Sequence, residues 1–575
     1  MTKEQWVDDL LGKMSLEEKI GQLMVFGFAG PVIYPHTREL IKKYHIGGFR
    51  ISQKFHPGSS ESRGKQENPG YKCADTNTFD VPQGIQTKRI NCTPEEYAAV
   101  LNTLRDLALD RKNSIGLHFA YDQEGEGADF LFRQRLFPYP MGIVAAGNPQ
   151  MAYDTAYASG KQAHALGANL IHSPVLDVNT NPDNPEIGPR AYSSDPDVVI
   201  EYALKSLKGY NDAGIACTGK HFPGRGASDT DAHFSLPAIN LSREEMFEVH
   251  LKPYKALIDN GLQCIMAAFT AYPGLGEADV PAAASRAIIT GILRGELGFK
   301  GVITTDNAQM RGLLDKYEIG EAAVKCLLAG CDLILFRSES PATIYVIEKV
   351  LEAVKNGKYP ESMLDESIKR ILAMRYNMGL HINGGKVDAG RAGELFEDSF
   401  IVKTANDAAV LSTKIVKNND NVIPVDKNKK VLLIEQIHHY HSFINSTYVH
   451  AGVLWEEMRK YSDNVSVAVI NESYTDHDKQ AVLKRLSQDD YDVIVTTSYY
   501  NYRSHACMID LLKDIAAYGK PVIAVANTPY EKFGMPDFIN NGIVNFCPSG
   551  RENIAAIAKA IFTDQTPFRQ EPSPG

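Results

Sequence analysis

The chain has 575 residues, of which 44% are hydrophobic and 23% charged, with 45 glycines and 29 prolines; this is a globular composition and excludes the disordered, collagenous and low-complexity classes. Its 60 basic residues against 70 acidic ones give a formal charge of −10, so the basic footprint that nucleic acid or an anionic membrane surface would require is absent. Neutral or small ligands are favoured, and at about 100–200 residues per domain the length allows two to five domains, fewer if one is an α/β barrel of ~250 residues.

From the start, Met1 to Leu16 reads as a polar amphipathic stretch with Asp8, Asp9 and Lys13, lacking the basic n-region and continuous apolar h-region of an export signal. No run approaches the ~18 apolar residues of a membrane span. The eight cysteines, at 73, 92, 217, 264, 326, 331, 507 and 547, contain no CxxC pair, and five lie in or beside apolar runs, where a reduced thiol acts as a small hydrophobe. A soluble protein of the reducing cytoplasm is expected.

Eight segments then have the length and apolar content of buried strands: 22–29, 46–52, 117–123, 169–178, 217–222, 264–272, 301–306 and 332–337. Most are followed by helical patterns with start signals. Thr93-Pro94-Glu95-Glu96 and Ser242-Arg243-Glu244-Glu245 both read as capping boxes. Eight such alternations predict an α/β fold, a (β/α)₈ TIM-type barrel over residues 1–385. A Gly-rich polar stretch places a linker at 386–400. Beyond it, in 401–575, short apolar strands at 431–434, 465–470, 493–497, 522–526 and 543–546 predict a smaller α/β sandwich. Its first strand is followed by no glycine fingerprint, so no nucleotide site is expected.

One segment breaks the barrel economy. Residues 53–91 show no period and are rich in Pro, Gly and Ser; a loop that long inside a compact domain is functional or mobile. It leaves the second strand toward the face where barrel active sites sit, and its His56, Tyr71, Phe79 and Arg89 suit a pocket wall or leaving-group subsite.

The strand ends carry the suggestive polar residues: Asp122, Asp177 and Asn179, Lys220 and His221, and Asp306. In a barrel, groups at those positions face one funnel. The strongest local signal is Lys220-His221-Phe222-Pro223-Gly224-Arg225-Gly226, followed by Asp231 and His233. It resembles the KH(F/I)PG(H/L)GxxxxD(S/T)H signature of the β-N-acetylglucosaminidase branch of glycoside hydrolase family 3. Arg225 stands where that signature has His or Leu, and Ala232 where it has Ser or Thr; neither is expected to serve the chemistry. MSLEEKIGQLM from Met14, YDQEG from Tyr121, SPVLDVNTNPDNPEIGPRAYSSDP from Ser173 and LGFKGVITTD from Leu297 resemble further stretches of the family in the same order. Residues 417–424 and the later strands resemble the second domain of its longer members.

The resemblance implies roles. Asp306 would be the nucleophile that forms a glycosyl-enzyme ester. His233, partnered by Asp231, would be the general acid and then base. Asp122, Arg190, Lys220 and His221 would hold hydroxyls of the terminal sugar. A carboxylate on one face of an oxocarbenium-like transition state and a proton donor near the leaving oxygen are what such chemistry needs. No metal and no organic cofactor is implied, and the partner is a carbohydrate or glycoconjugate.

Two departures bear on substrate. After DQEG the branch continues G-R-V-x-R, whereas this chain reads Glu126-Gly127-Ala128-Asp129-Phe130, so that Arg133, Arg135 or nothing replaces the missing arginine. Phe269 stands where the branch often has His. Elsewhere, His438, His439 and His441 read as a solvent-facing loop, Asp476-His477-Asp478 as a helix start, and Glu124 and Glu126 as weaker rivals for the acid–base role. The expectation is a retaining exo-β-glycosidase acting on terminal β-N-acetylglucosaminides. A β-glycoside phosphorylase, a β-glycosidase of other sugar specificity and a catalytically silent sugar-binding protein stand as alternatives.

Overall fold

The computed structural model describes residues 1–29, 32–52, 67–68, 71–72, 93–125, 134–337, 342–437, 452–471, 474–488, 490–500 and 507–563. Eight strands close into a barrel: β1 (Met24–Ala29), β2 (Gly48–Ser52), β3 (His118–Asp122), β4 (Leu170–His172), β5 (Ala216–Phe222), β6 (Cys264–Ala267), β7 (Val302–Asn307) and β8 (Leu333–Leu335). Each pairs in parallel with its successor, and β8 returns to β1. All eight sequence-predicted strands are present.

Two strands are shorter than their apolar runs. β4 stops at His172 and β6 at Ala267, yet Val175, Leu176, Val178, Phe269, Ala271 and Tyr272 beyond them are buried. These residues line loops folded over the barrel, so the run reported burial rather than strand.

The helices begin where the side chains dictate. Thr93 Oγ1 accepts from the Glu96 backbone at 3.2 Å while Glu96 Oε2 accepts from the Thr93 backbone at 3.0 Å, opening the helix Pro94–Leu109. Ser242 and Glu245 make the same reciprocal pair. Each box satisfies two of the backbone donors that a helix start leaves without partners.

The second sheet has six strands: β9 (Lys414–Asn418), β10 (Val431–Ile437), β11 (Val465–Asn471), β12 (Val493–Ser498), β13 (Val522–Ala526) and β14 (Asn541–Val544), in the spatial order β9-β14-β13-β12-β10-β11. Only the β9–β14 pairing is antiparallel. Val431, Leu433, Val493 and Val495 point into one core and Leu432, Ile434 and Ile494 into the other. Burial on both faces explains the unbroken apolar runs. β9 was not read from the sequence because Lys-Ile-Val-Lys-Asn is an edge strand with half-buried, mostly polar positions.

Residues 386–397 lie against the barrel. Asn102 bonds both backbone groups of Val387, at 2.8 and 3.1 Å, and Ala392 and Phe396 are buried in the barrel's core cluster. The two sheets meet near residues 135–146: Tyr139 N donates to Phe546 O at 3.0 Å, and Arg135 bridges Glu397 at 2.9 Å and Glu552 at 2.5 Å.

Candidate active site

The C-terminal ends of β2, β3, β4, β5 and β7 deliver the charged groups. Asp122, ending β3, accepts from Arg50 of β2 at 3.2 Å (Nε) and 2.5 Å (Nη2), and lies 2.7 Å from Nδ1 of His172, which ends β4. Burial alone would raise its pKa, but Arg50, Lys220 and the His172 hydrogen bond hold it well below the usual carboxylate range.

Glu124 takes the edge of the Arg190 guanidinium at 2.5 Å (Nε) and 3.1 Å (Nη2), and pairs with the Lys220 ammonium. Against burial, those two cations hold it well below the usual range as well. A carboxylate so fixed in its ionised form has no proton to donate, which removes Glu124 as a rival acid.

Lys220 and His221 are consecutive, and in a regular strand they would point to opposite faces. The β5–β6 register shifts between Gly219 and Phe222, and Val175 bridges Lys220 from the other side. Both side chains consequently reach the same network. Arg190 Nη2 lies 3.4 Å from His221 Nε2; a guanidinium only donates, so Nε2 is an acceptor and the ring proton sits on Nδ1, given to Asp177 at 2.7 Å. His221 is accordingly neutral, its pKa lowered by burial and by the Arg225 cation.

Asp306, near the end of β7, accepts from the Asn307 backbone at 2.7 Å and faces Arg225 Nη1 at 3.3 Å. Burial would raise its pKa; the Arg225 cation leads the groups that bring it down to about 2. His233 Nδ1 lies 2.7 Å from Asp231 Oδ1 and 3.4 Å from Glu186 Oε1.

The loop that carries this dyad is tied down. Asn181 N donates to Gly226 O at 3.2 Å, and a Cβ at Gly226 would stand 1.7 Å from Val178 O. Only glycine permits that approach.

The seven residues singled out in the sequence, Asp122, Arg190, Lys220, His221, Asp231, His233 and Asp306, lie in this one network of hydrogen bonds, ion pairs and facing charges. Four partners were missed. Arg50 and His172 were within reach of the sequence, as polar residues closing predicted strands; Glu186 sits in a loop with no signal. Arg225 was seen but not expected to serve the chemistry; its guanidinium lies 3.3 Å from Asp306.

Arg135 is corrected: it bonds Glu397 and Glu552, so it does not replace the missing loop arginine. Phe269 is fully buried. The helix Asp476–Gln488 starts where the sequence placed it. Glu126, Arg133, His438, His439 and His441 lie outside the described residues, as do residues 53–91 apart from a small antiparallel pair, Glu67–Asn68 with Tyr71–Lys72.

Donor atoms of Glu186, Asp231 and His233 lie within 4.8 Å of one another, a spacing that a cation can use. Arg225 Nη2 is already 2.5 Å from Glu186, so a metal would have to displace a buried guanidinium.

A (β/α)₈ barrel whose mouth gathers an ionised aspartate, a carboxylate-backed histidine and a set of fixed charges has the parts of a carbohydrate-cleaving enzyme. The glycosyl hydrolase family 3 N terminal domain matches residues 15–374, and the chain belongs to that family. It is 27% identical over 437 residues to the beta-N-acetylglucosaminidase/beta-glucosidase of Cellulomonas fimi, spanning 74% of this chain and 68% of that protein. It is 35% identical over 272 residues to the beta-hexosaminidase of Idiomarina loihiensis, spanning 46% of this chain and 79% of that one. A solved glycoside hydrolase family 3 beta-N-acetylglucosaminidase from Paenibacillus sp. str. FPU-7 shares the fold, with a TM-score of 0.80 at 24% identity over 96% of this chain and 97% of that one.

Proposed function

We propose that the chain is a retaining exo-β-glycosidase that removes terminal β-linked N-acetylglucosamine, with Asp306 as nucleophile and His233, backed by Asp231, as acid and base. The observation that carries this reading is the pairing at the barrel mouth: Asp306 near the end of β7 is held 3.3 Å from Arg225, and His233 Nδ1 is held 2.7 Å from Asp231. The names of the relatives from Cellulomonas fimi and Idiomarina loihiensis support the N-acetylhexosamine assignment.

In the first step Asp306 attacks the anomeric carbon while protonated His233 gives its Nε2 proton to the leaving oxygen. In the second, His233 takes a proton from water, which displaces Asp306 and restores the β configuration. Asp122 at the end of β3, Lys220 and His221 near the end of β5, and Arg190 in the short turn Gly188–Arg190 after β4 would bind the sugar hydroxyls. Asp231 and Glu186 place two carboxylates beside His233.

Among the described residues no helix is long and apolar enough to cross a membrane. Cys217, Cys264, Cys326 and Cys331 are buried thiols whose pKa burial pushes up, which supports a reducing, cytoplasmic setting. We assign catalysis to residues 1–385, with 386–400 as the linker to the second domain.

The test is a set of p-nitrophenyl β-glycosides differing only at C2, with products analysed by NMR with and without phosphate. Preference for the acetamido sugar, release of free β-sugar and indifference to phosphate are expected. Release of an α-configured sugar, or of a sugar phosphate, would sink the retaining hydrolase. In parallel, His233→Ala should slow turnover by roughly 10²–10⁴ on poor leaving groups and far less on 2,4-dinitrophenolate.

A further inference from the structure

Arg225 is 1% exposed, and its side chain lies between the two halves of the site. Nη1 is 3.3 Å from Asp306 Oδ2, and Nη2 is 2.5 Å from Glu186 Oε1. Nε has no partner among the described residues, so those two carboxylates are what holds the guanidinium. Its backbone is fixed on both sides: the N–H donates to Asp177 Oδ1 at 2.6 Å, and the carbonyl accepts from Asn184 Nδ2 at 2.9 Å.

Glu186 continues the chain of contacts. Its Oε1 faces His233 Nδ1 at 3.4 Å, and its Oε2 accepts from the Ala232 backbone at 3.4 Å, between the two members of the dyad. The Asn184 side chain in turn accepts from the backbones of Glu186 and Ile187, at 3.0 and 2.9 Å. A buried ion pair is costly to desolvate, and well-packed apolar residues often replace one without loss of stability. This pair spans the distance from nucleophile to acid–base group, and stability alone does not require that placement.

We propose that Arg225 and Glu186 are a positioning pair for the reaction: the guanidinium orients Asp306 and favours its charged form, and Glu186 holds the Asp231–His233 segment and shares Nδ1 of His233 with Asp231. The inference rests on the assignment of Asp306 as nucleophile and His233 as acid and base. Its chemical consequence is asymmetric. Bond formation to the sugar consumes the charge of Asp306 and leaves Arg225 with Glu186 alone; the second step restores that charge. The pair therefore makes Asp306 a weaker nucleophile and a better leaving group, and speeds the second step relative to the first.

Among the described residues, the cation facing Asp306 is Arg225, and the titratable rings facing it are those of His221 and His233. Among the described residues, the titratable groups facing the dyad include Glu186 and Asp306 from the barrel and Tyr500, after β12, from the second sheet. Arg190 faces both Arg225 and Glu186.

The experiment uses the full chain and its Arg225→Met, Arg225→Lys, Glu186→Gln and Arg225→Met/Glu186→Gln variants, assayed on p-nitrophenyl and 2,4-dinitrophenyl N-acetyl-β-glucosaminide between pH 3.5 and 10, with Asp306→Ala alongside. Arg225→Met should bring an acid limb of kcat/KM into the assayed range, where the wild type, with Asp306 at about 2, shows none. It should also lower kcat on the dinitrophenyl substrate, where the second step limits, by roughly tenfold or more while kcat/KM falls less. Arg225→Lys should recover part of both effects.

Glu186→Gln keeps the shape of the side chain and removes a negative charge beside His233, so the alkaline limb should move to lower pH. If Arg225→Met does not fold, the double variant, which does not strand the Glu186 charge, and Glu186→Gln carry the test. Folded variants that keep wild-type limbs and a wild-type split between kcat and KM overturn the proposal. Turnover by Asp306→Ala would instead overturn the assignment of the nucleophile.

Discussion

One oxygen of Asp231, Oδ1, accepts twice from His233: from its backbone N–H at 2.8 Å and from its ring Nδ1 at 2.7 Å. Because an ionised carboxylate only accepts, the ring proton is held on Nδ1.

Asp231→Asn should therefore lose turnover through the wrong tautomer rather than through misfolding. An amide nitrogen offered to Nδ1 favours the proton on Nε2, and a decrease of about 10²–10⁴ in kcat is expected, as for the analogous change in a serine-protease triad. Unchanged kcat at an unchanged melting temperature would mean that Asp231 does not set the ring.

Acid should unfold the protein in two windows. His250 is buried with a pKa of about 4, and His221 is also lowered. Such groups contribute stability that is full above the ordinary histidine value, about 6.5, and is lost as pH falls toward the folded value. Asp122, Glu124, Asp177 and Asp306 are depressed carboxylates. Their contribution is full above about pH 4 and goes as pH falls through their folded values. The melting temperature should start to drop below about pH 6.5 and fall more steeply below about 4. His250→Gln should flatten the upper window only; an unchanged slope there removes His250 as its source.

Arg135 ties the two sheets through Glu397 and Glu552. Arg135→Ala leaves Glu552, which is 9% exposed, without that cation, and should cost about 1–3 kcal/mol. Urea unfolding followed by tryptophan and by circular dichroism measures it. No loss of stability would show that water replaces the guanidinium at no cost.

Gly226→Ala should damage the site more than its size suggests. The new methyl would overlap Val178 O, so the loop bearing Arg225, Asp231 and His233 must move. A loss of kcat/KM exceeding tenfold, with Tm lowered by only a few degrees, is expected. Wild-type kinetics would mean that the backbone accommodates the methyl elsewhere.

The sequence by itself determined the eight strands, the capped helices and the polar residues that close the strands, because apolar runs report burial, capping boxes report local backbone, and strand ends in a barrel share one face. It did not reveal the edge strand Lys414–Asn418, whose polar positions carry no burial pattern. Nor could it tell which charge meets which. Arg50 with Asp122, Glu124 with Arg190, Arg225 with Asp306 and Arg135 with Glu552 are separated by 72, 66, 81 and 417 residues. Ion pairs are short-ranged and carry no periodic trace along the chain; only closure of the barrel and docking of the second sheet bring these groups together.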